Sequence, residues 1–195
     1  NGVTVNCQFY DNYAYGGGAV RLWNGGQLIN CTLTANSASG DIYGGGGGLN
    51  CYQGTPTVTN RIIWGNTVNG APNEILKDAL ATLTVSHSDV RGGYAGTGNI
   101  DADPLFVNVA NKDFRVQPAS PCTDAGDNME LPPDAADLDR DGELAEALPL
   151  DLRGRARVAD GDGDTTAVVE MGAFEYVPGT ETVYTLTVAL APAGL

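Results

Sequence analysis

Two stretches of this chain carry carboxylates at the spacing that a hard divalent cation requires. Asp137, Asp139 and Asp141 alternate and are followed by Gly142, which puts acids at positions 1, 3 and 5 and a turn-forming glycine at position 6 of a calcium loop. Position 12 is Leu148 rather than a bidentate Glu, so the pattern departs from an EF-hand. Asp160, Asp162 and Asp164 repeat the alternation, with Glu170 near enough in sequence to close a coordination shell. Carboxylate oxygens on glycine-flexible backbone suit Ca²⁺ at the concentrations found outside cells. The expected role is structural: the ion ties down segments whose like charges otherwise repel. An acidic, solvated surface loop is the plain alternative.

A second chemistry is sugar binding. Trp23 aligns with Tyr52, and Tyr10 with Trp64, in columns that face outward, where aromatic rings can stack on the apolar faces of sugars. Packing of these rings on one another across the surface is the simpler expectation. His87 is the single histidine, with no Ser or Cys partner motif beside it, and reads as a turn residue rather than a general base. The cysteines Cys7, Cys31, Cys51 and Cys122 form no C-x-x-C pair, which argues against zinc or thioredoxin chemistry. Cys7 and Cys31 occupy equivalent positions, so they read as two small inward hydrophobes in one column or as a disulfide between neighbouring strands. A hydrolase needs two carboxylates about 5–10 Å apart across the scissile bond. Asp11, however, aligns with Ala35 and Gly65, Asp41 lies in a different turn, and the cations Lys77 and Lys112 are isolated. No residue is therefore named as catalytic.

These side chains must be positioned by a repeat. Asn6-Cys7-Gln8-Phe9-Tyr10-Asp11-Asn12 returns as Asn30-Cys31-Thr32-Leu33-Thr34-Ala35-Asn36 and as Asn60-Arg61-Ile62-Ile63-Trp64-Gly65-Asn66, with a fainter copy from His87 to Gly93. A period in the twenties to thirty means stacked units that cannot bury their apolar faces alone. Each copy reads as a strand, a turn, a glycine run, a second strand and another turn. Val5, Cys7 and Phe9 alternate with polar residues in the first strand, and Val20 and Leu22 match Leu49 and Cys51 in the second. Strands this short, with no intervening helices, exclude βαβ winding and fit an all-β, right-handed parallel β-helix. Asn12, Asn36 and Asn66 are expected to bend the chain and to form an amide ladder along the axis. Arg61 falls where Cys7 and Cys31 stand, so either the register slips by one residue or the arginine faces the C-terminal segment. Residues 73–80 admit a short helix, but Ile75-Leu76 and Ala81 to Val85 fit two further strands better.

The net charge of −14 and pI near 4.1 argue against a nucleic-acid surface or an anionic membrane as partner. No apolar run is long enough to cross a bilayer. The chain opens inside a repeat without Met, which reads as a piece of a longer or processed protein. From Asp101 the repeats stop and prolines and acids accumulate, so residues 1–100 are taken as coils and 101–177 as an irregular, Asp-rich cap over the last coil. Residues 178–195 read as a linker followed by a strand, Thr182 to Val188, of a further module or of an inter-subunit pairing.

The ordered set Asp103-Pro104-Leu105-Phe106, Asp113-Phe114-Arg115-Val116, Ser120-Pro121-Cys122 with Asp124-Ala125-Gly126, Asp151-Leu152-Arg153-Gly154 and Met171-Gly172-Ala173-Phe174-Glu175-Tyr176 resembles the C-terminal end of bacterial secreted β-helix proteins of the choice-of-anchor type. The coils are similar to polymorphic outer-membrane-protein repeats in Asn30-Cys31-Thr32-Leu33 and the glycine runs. The resemblance implies a secreted or cell-surface protein, mostly without an assigned activity. The function expected is a non-catalytic structural or adhesive solenoid whose partners are copies of itself, assembling end to end, or glycans. A carbohydrate-active enzyme fragment or a carbohydrate-binding module is the rival.

Overall fold

In the computed structural model, residues 2–40 and 45–179 are described, and they build a parallel β-solenoid. The strand expected from Thr182 to Val188, and Asp41, lie outside the described residues. The first coil holds β1 (Val3–Val5), β2 (Gln8–Tyr10), β3 (Tyr13–Ala14) and β4 (Val20–Leu22). The second holds β5 (Gln27–Ile29), β6 (Thr32–Thr34), β7 (Ser37–Ala38) and β8 (Leu49–Gly54). The third holds β9 (Thr57–Thr59), β10 (Ile62–Trp64) and β11 (Thr67–Val68), then β12 (Ala71–Pro72), which folds back antiparallel on β11, and β13 (Ile75–Ala81). β14 (Thr84–Ser86) and β15 (Asp89–Val90) begin a fourth. Equivalent strands pair in parallel and in register, giving the sheets β1-β5-β9-β14, β2-β6-β10-β15, β3-β7-β11-β12 and β4-β8-β13. The region that admitted a helix is strand throughout β13.

Each coil thus has more strands than the two read from the repeat. The run Val5–Cys7–Phe9 is not one strand: Asn6 takes a left-handed backbone (φ 51°) and turns the chain between β1 and β2. Asn30 (φ 49°), Asn60 (φ 54°) and His87 (φ 44°) turn the same corner in later coils. Asparagine tolerates this conformation because its short amide can bond locally. At the next corner the left-handed residues are Asp11 (φ 54°), Ala35 (φ 55°) and Gly65 (φ 77°), one position before the expected asparagines. The bend made there leaves Asn12, Asn36 and Asn66 to turn their amides along the axis. Asn12 Nδ2 donates to Asn36 Oδ1 (2.9 Å) and Asn36 Nδ2 to Asn66 Oδ1 (2.9 Å). Glu74 ends the ladder, accepting from Asn66 Nδ2 at 2.6 Å and from the Gly65 and Asn66 amides.

Inside, columns of apolar side chains stack from coil to coil: Leu28 on Val58 and Val85, Phe9 on Leu33 and Ile63, Val20 on Leu49. Each fully buried side chain of this size contributes about 1.5–3 kcal/mol. The glycine runs allow the coil to narrow. A Cβ on Gly18 would lie 2.1 Å from Gly47 O, and one on Gly47 would lie 2.3 Å from Thr67 N. Cys7 and Cys31 share the expected column, with Cys7 N donating to Cys31 Sγ at 3.3 Å, and all four cysteines are free thiols. Arg61 occupies the same column without a register slip, since Ile62 and Ile63 still pair with Thr32 and Leu33. It is fully buried.

The segment after the coils differs most from the sequence reading. The end of the last coil is closed by residues 91–100: Ile100 pairs with Asp89, Asn99 Nδ2 donates to Val85 O and Tyr94 O, and Tyr94 packs on the core. Residues 101–179 do not cover that end but run along the flank. β16 (Phe106–Asn108) and β17 (Asp113–Val116) form a hairpin, and Phe106, Phe114, Val116, Cys122 and Met171 build a second core on Ile62, which points outward from β10. The corner asparagines receive this strap. Asn6 Nδ2 donates to Leu150 O (2.6 Å), Asn60 exchanges bonds with Asp127, and the Asn30 amide lies against the Arg157 guanidinium. A left-handed corner leaves these amides free to bond outward, and an outward apolar Ile62 rewards being covered.

Candidate metal centre

The first acidic stretch folds as a pinched loop over residues 132–148. Pro133 and Ala147 bridge its neck, Asp134 N donates to Glu146 O (2.9 Å), and Leu148 N donates to Pro132 O (2.9 Å). Positive φ at Asp137 (52°), Arg140 (64°) and Gly142 (88°) curls the tip inward. Asp137 Oδ1 accepts from Gly142 N (3.1 Å) and Asp141 Oδ1 from Glu143 N (2.7 Å). Asp137, Asp139 and Asp141 each bring one carboxylate oxygen within 4.8 Å of the others, and Asp134, Asp139 and Glu146 do the same. The two sets share Asp139, so the loop carries two overlapping triads of carboxylates.

The closing acid is therefore Glu146, at position 10, rather than Leu148 at position 12. Asp134 enters from before the loop. Neither residue was singled out by spacing, because the bridge between Pro133 and Ala147 brings them together. Asp134 is fully buried: its Oδ2 accepts from Leu138 N (2.6 Å) and its Oδ1 has no partner. Glu146 Oε1 is likewise enclosed and unpaired. Enclosure, and then the neighbouring Asp141, Asp139, Asp134 and Glu143, push the Glu146 carboxyl above its usual range.

The second acidic stretch is arranged differently. Asp160 and Asp162 converge with Asp124, which the sequence reading passed over, while Asp164 and Glu170 are not in this group. Its oxygens are taken up by backbone: Asp124 accepts from Gly161 N (3.0 Å) and Asp162 N (2.7 Å), and Asp160 from Gly163 N (2.7 Å) and Thr165 N (3.0 Å). Asp164 turns to Thr166 N (2.7 Å). Glu170 belongs to a buried charge cluster instead. Arg157, fully buried, pairs with Glu175 at 3.3 Å and donates to Gly172 O at 2.5 Å. Burial, and then the charge of Glu175, hold the Glu170 carboxyl well above its usual range, and burial raises Glu175 as well, with Arg157 opposing the rise at both.

The aromatic columns are partly consumed by packing. Trp23 and Tyr52 stack with centroids 4.2 Å apart and planes 20° apart, and the Arg21 guanidinium lies 5.1 and 5.5 Å from the two rings. Tyr10 packs on Phe114 (5.4 Å). Trp64 has Thr34 rather than an aromatic on the neighbouring coil, and it stands between two clefts of about 420 and 410 Å³. Arg91 lies 5.9 Å from its ring. His87 faces Asp127 at 3.8 Å, against the strap. The acids of the described coils all have structural partners: Asp11 pairs with Lys112 (2.6 Å), Glu74 ends the ladder, Asp78 accepts from Leu80 N (2.9 Å), and buried Asp89 accepts from Ala102 N (3.2 Å). What this arrangement offers chemically is cation binding at the 132–148 loop.

Comparison with protein-family models, with curated proteins and with solved structures finds no match to this chain.

Proposed function

We propose that the chain is a non-catalytic structural or adhesive solenoid of the cell exterior, whose partners are copies of itself. One observation carries this reading. Asp11, Glu74, Asp78 and Asp89, the acids of the described coils, are each held in a structural contact. Tyr13 and Tyr15 leave exposed aromatic surface on the coils, suited to meeting a second copy. The structural partners of the coil acids support a non-catalytic reading over a hydrolase or lyase, and the choice-of-anchor resemblance supports a secreted location.

Sedimentation velocity and negative-stain microscopy of the chain test the proposal. Association that is lost on Tyr13→Lys with Tyr15→Lys, both side chains 68% exposed on the first coil, is the expected result. A chain that stays monomeric at high concentration, or that associates equally well with both substitutions, overturns it. Trp23, 59% exposed at the end of its stack with Tyr52, favours glycan binding as the second reading, and loss of glycan-array binding in Trp23→Ala would support that instead.

A further inference from the structure

The geometry points to a calcium ion held in the 132–148 loop by Asp134, Asp139 and Glu146, with solvent completing the shell. Clustered surface acids alone are weak grounds for such a site. The independent observation is Asp134: it is fully buried, one of its oxygens has no hydrogen-bond partner, and its carboxylate is a member of the convergent set. A buried, half-satisfied carboxylate without a cation is costly. The enclosed, unpaired Glu146 Oε1 beside it doubles the same deficit. A divalent cation satisfies both at once.

Donor chemistry selects the ion. All three donors are hard carboxylate oxygens, with no His or Cys, which excludes the softer transition metals as preferred occupants. Ligand oxygens spread up to 4.8 Å from one another suit the irregular six- to eight-fold shell of Ca²⁺, with oxygens about 2.3–2.6 Å from the ion, better than the tight octahedron of Mg²⁺. Backbone bonds already hold Asp137 and Asp141 in the curled conformation, so little ordering is needed on binding. The second acidic group, at Asp124, Asp160 and Asp162, is the contrasting case, since no oxygen of its three carboxylates is both buried and unpaired.

The consequence is mechanical. The same loop forms one wall of an apolar groove of about 470 Å³, through Pro132, Pro133, Ala135 and Leu138, whose other wall is Val3 and Val5 of the first coil. Calcium pins the strap against β1 and fixes the shape of that groove. This holds whether or not the chain self-associates.

Isothermal titration calorimetry of the full chain, stripped with EDTA and titrated with CaCl₂ or MgCl₂, tests the inference. Saturable calcium binding, at least about tenfold tighter than magnesium, is expected together with a rise in Tm. Asp139→Asn and Glu146→Gln should each weaken calcium binding at least about tenfold, while Asp160→Asn leaves it unchanged. Asp134→Asn supplies an arm that a merely structural acid would not: it should raise Tm in EDTA and abolish the calcium response. If Asp134→Asn fails to fold, Asp139→Asn and Glu146→Gln decide the matter. Absence of saturable calcium heat overturns the inference. Wild-type affinity in both Asp139→Asn and Glu146→Gln, or loss of binding in Asp160→Asn alone, overturns it equally.

Discussion

Replacing Asn36 with alanine removes the middle rung of the amide ladder, and its cost can be worked from the hydrogen bonds it makes. The Asn36 amide nitrogen faces Asn66 Oδ1 (2.9 Å), Phe9 O (3.0 Å) and Thr34 O (3.0 Å), but has two protons to give. Its oxygen accepts from Asn12 N (3.1 Å) and Asn12 Nδ2 (2.9 Å). Four full hydrogen bonds at about 1 kcal/mol each set an upper figure near 4 kcal/mol. Asn12 is exposed, so water replaces its two, and Asn66 Oδ1 keeps the Asn36 backbone N–H at 3.0 Å. The remainder is a loss of about 2–3 kcal/mol, dominated by buried carbonyls left unpaired. Asn12→Ala, at the exposed end of the ladder, should cost only about 0.5–1 kcal/mol. Asn66→Ala should cost at least as much as Asn36→Ala, because it strips the buried Glu74 carboxylate of its shortest donor (2.6 Å). Urea unfolding followed by far-ultraviolet circular dichroism, with unchanged m values, measures all three. If Asn12→Ala and Asn36→Ala agree to within about 0.5 kcal/mol, the ladder is not the element argued here.

Three further outcomes are expected. Arg61 is fully buried and its guanidinium nitrogens lack hydrogen-bond partners, so Arg61→Met should raise stability by about 1–3 kcal/mol in the same unfolding assay. No stranded charge remains after that change: against burial, which raises it, the Cys7 hydrogen bond and the Arg61 charge lower the Cys31 thiol, which simply takes a proton when Arg61 is gone. Burial lifts Asp89 from 3.8 to about 6, so the native state holds this proton more tightly than the unfolded chain. That contribution, about 3 kcal/mol, is complete below pH 4 and is lost as pH rises to about 6. Urea midpoints between pH 4 and 7 should therefore fall less steeply in Asp89→Asn than in the native chain, and equal slopes would count against the assignment. Trp23→Ala should cost about 0.5–1.5 kcal/mol through loss of the stacked pair with Tyr52, and a neutral result would show the stack to be incidental.

The coils were legible because their logic is periodic. A strand that bonds its own copy one turn later must place like residues above like, so the steps of 24, 30 and 27 residues reappear as the spacing of the bonds Asn12–Asn36, Asn36–Asn66 and Thr59–Ser86. The Cys7–Cys31 column, the stacked Trp23 and Tyr52 and the ladder itself follow from that register. The number of strands per coil was less legible. The corner at Asn6 and its equivalents breaks an alternation that continues across it in the sequence, because a left-handed residue reverses direction without disturbing the apolar pattern.

The strap had no such signal. Its bonds to the coils join residues far apart, 144 positions for Asn6 with Leu150 and 67 for Asn60 with Asp127, and no period links them. Its path along the flank is set by the outward Ile62 and the corner amides, features that become visible only when the coils are stacked. The acidic loop shows both sides. The alternation Asp137, Asp139, Asp141 is local and was readable, whereas Asp134 and Glu146 meet through a bridge at the neck of the loop. Local and periodic interactions are written in residue order, so the chain itself determined the solenoid, its register and its ladder. Burial of Arg61, the lateral strap and the full set of carboxylates around Asp139 depend on which surfaces come together, and tertiary packing alone decided them.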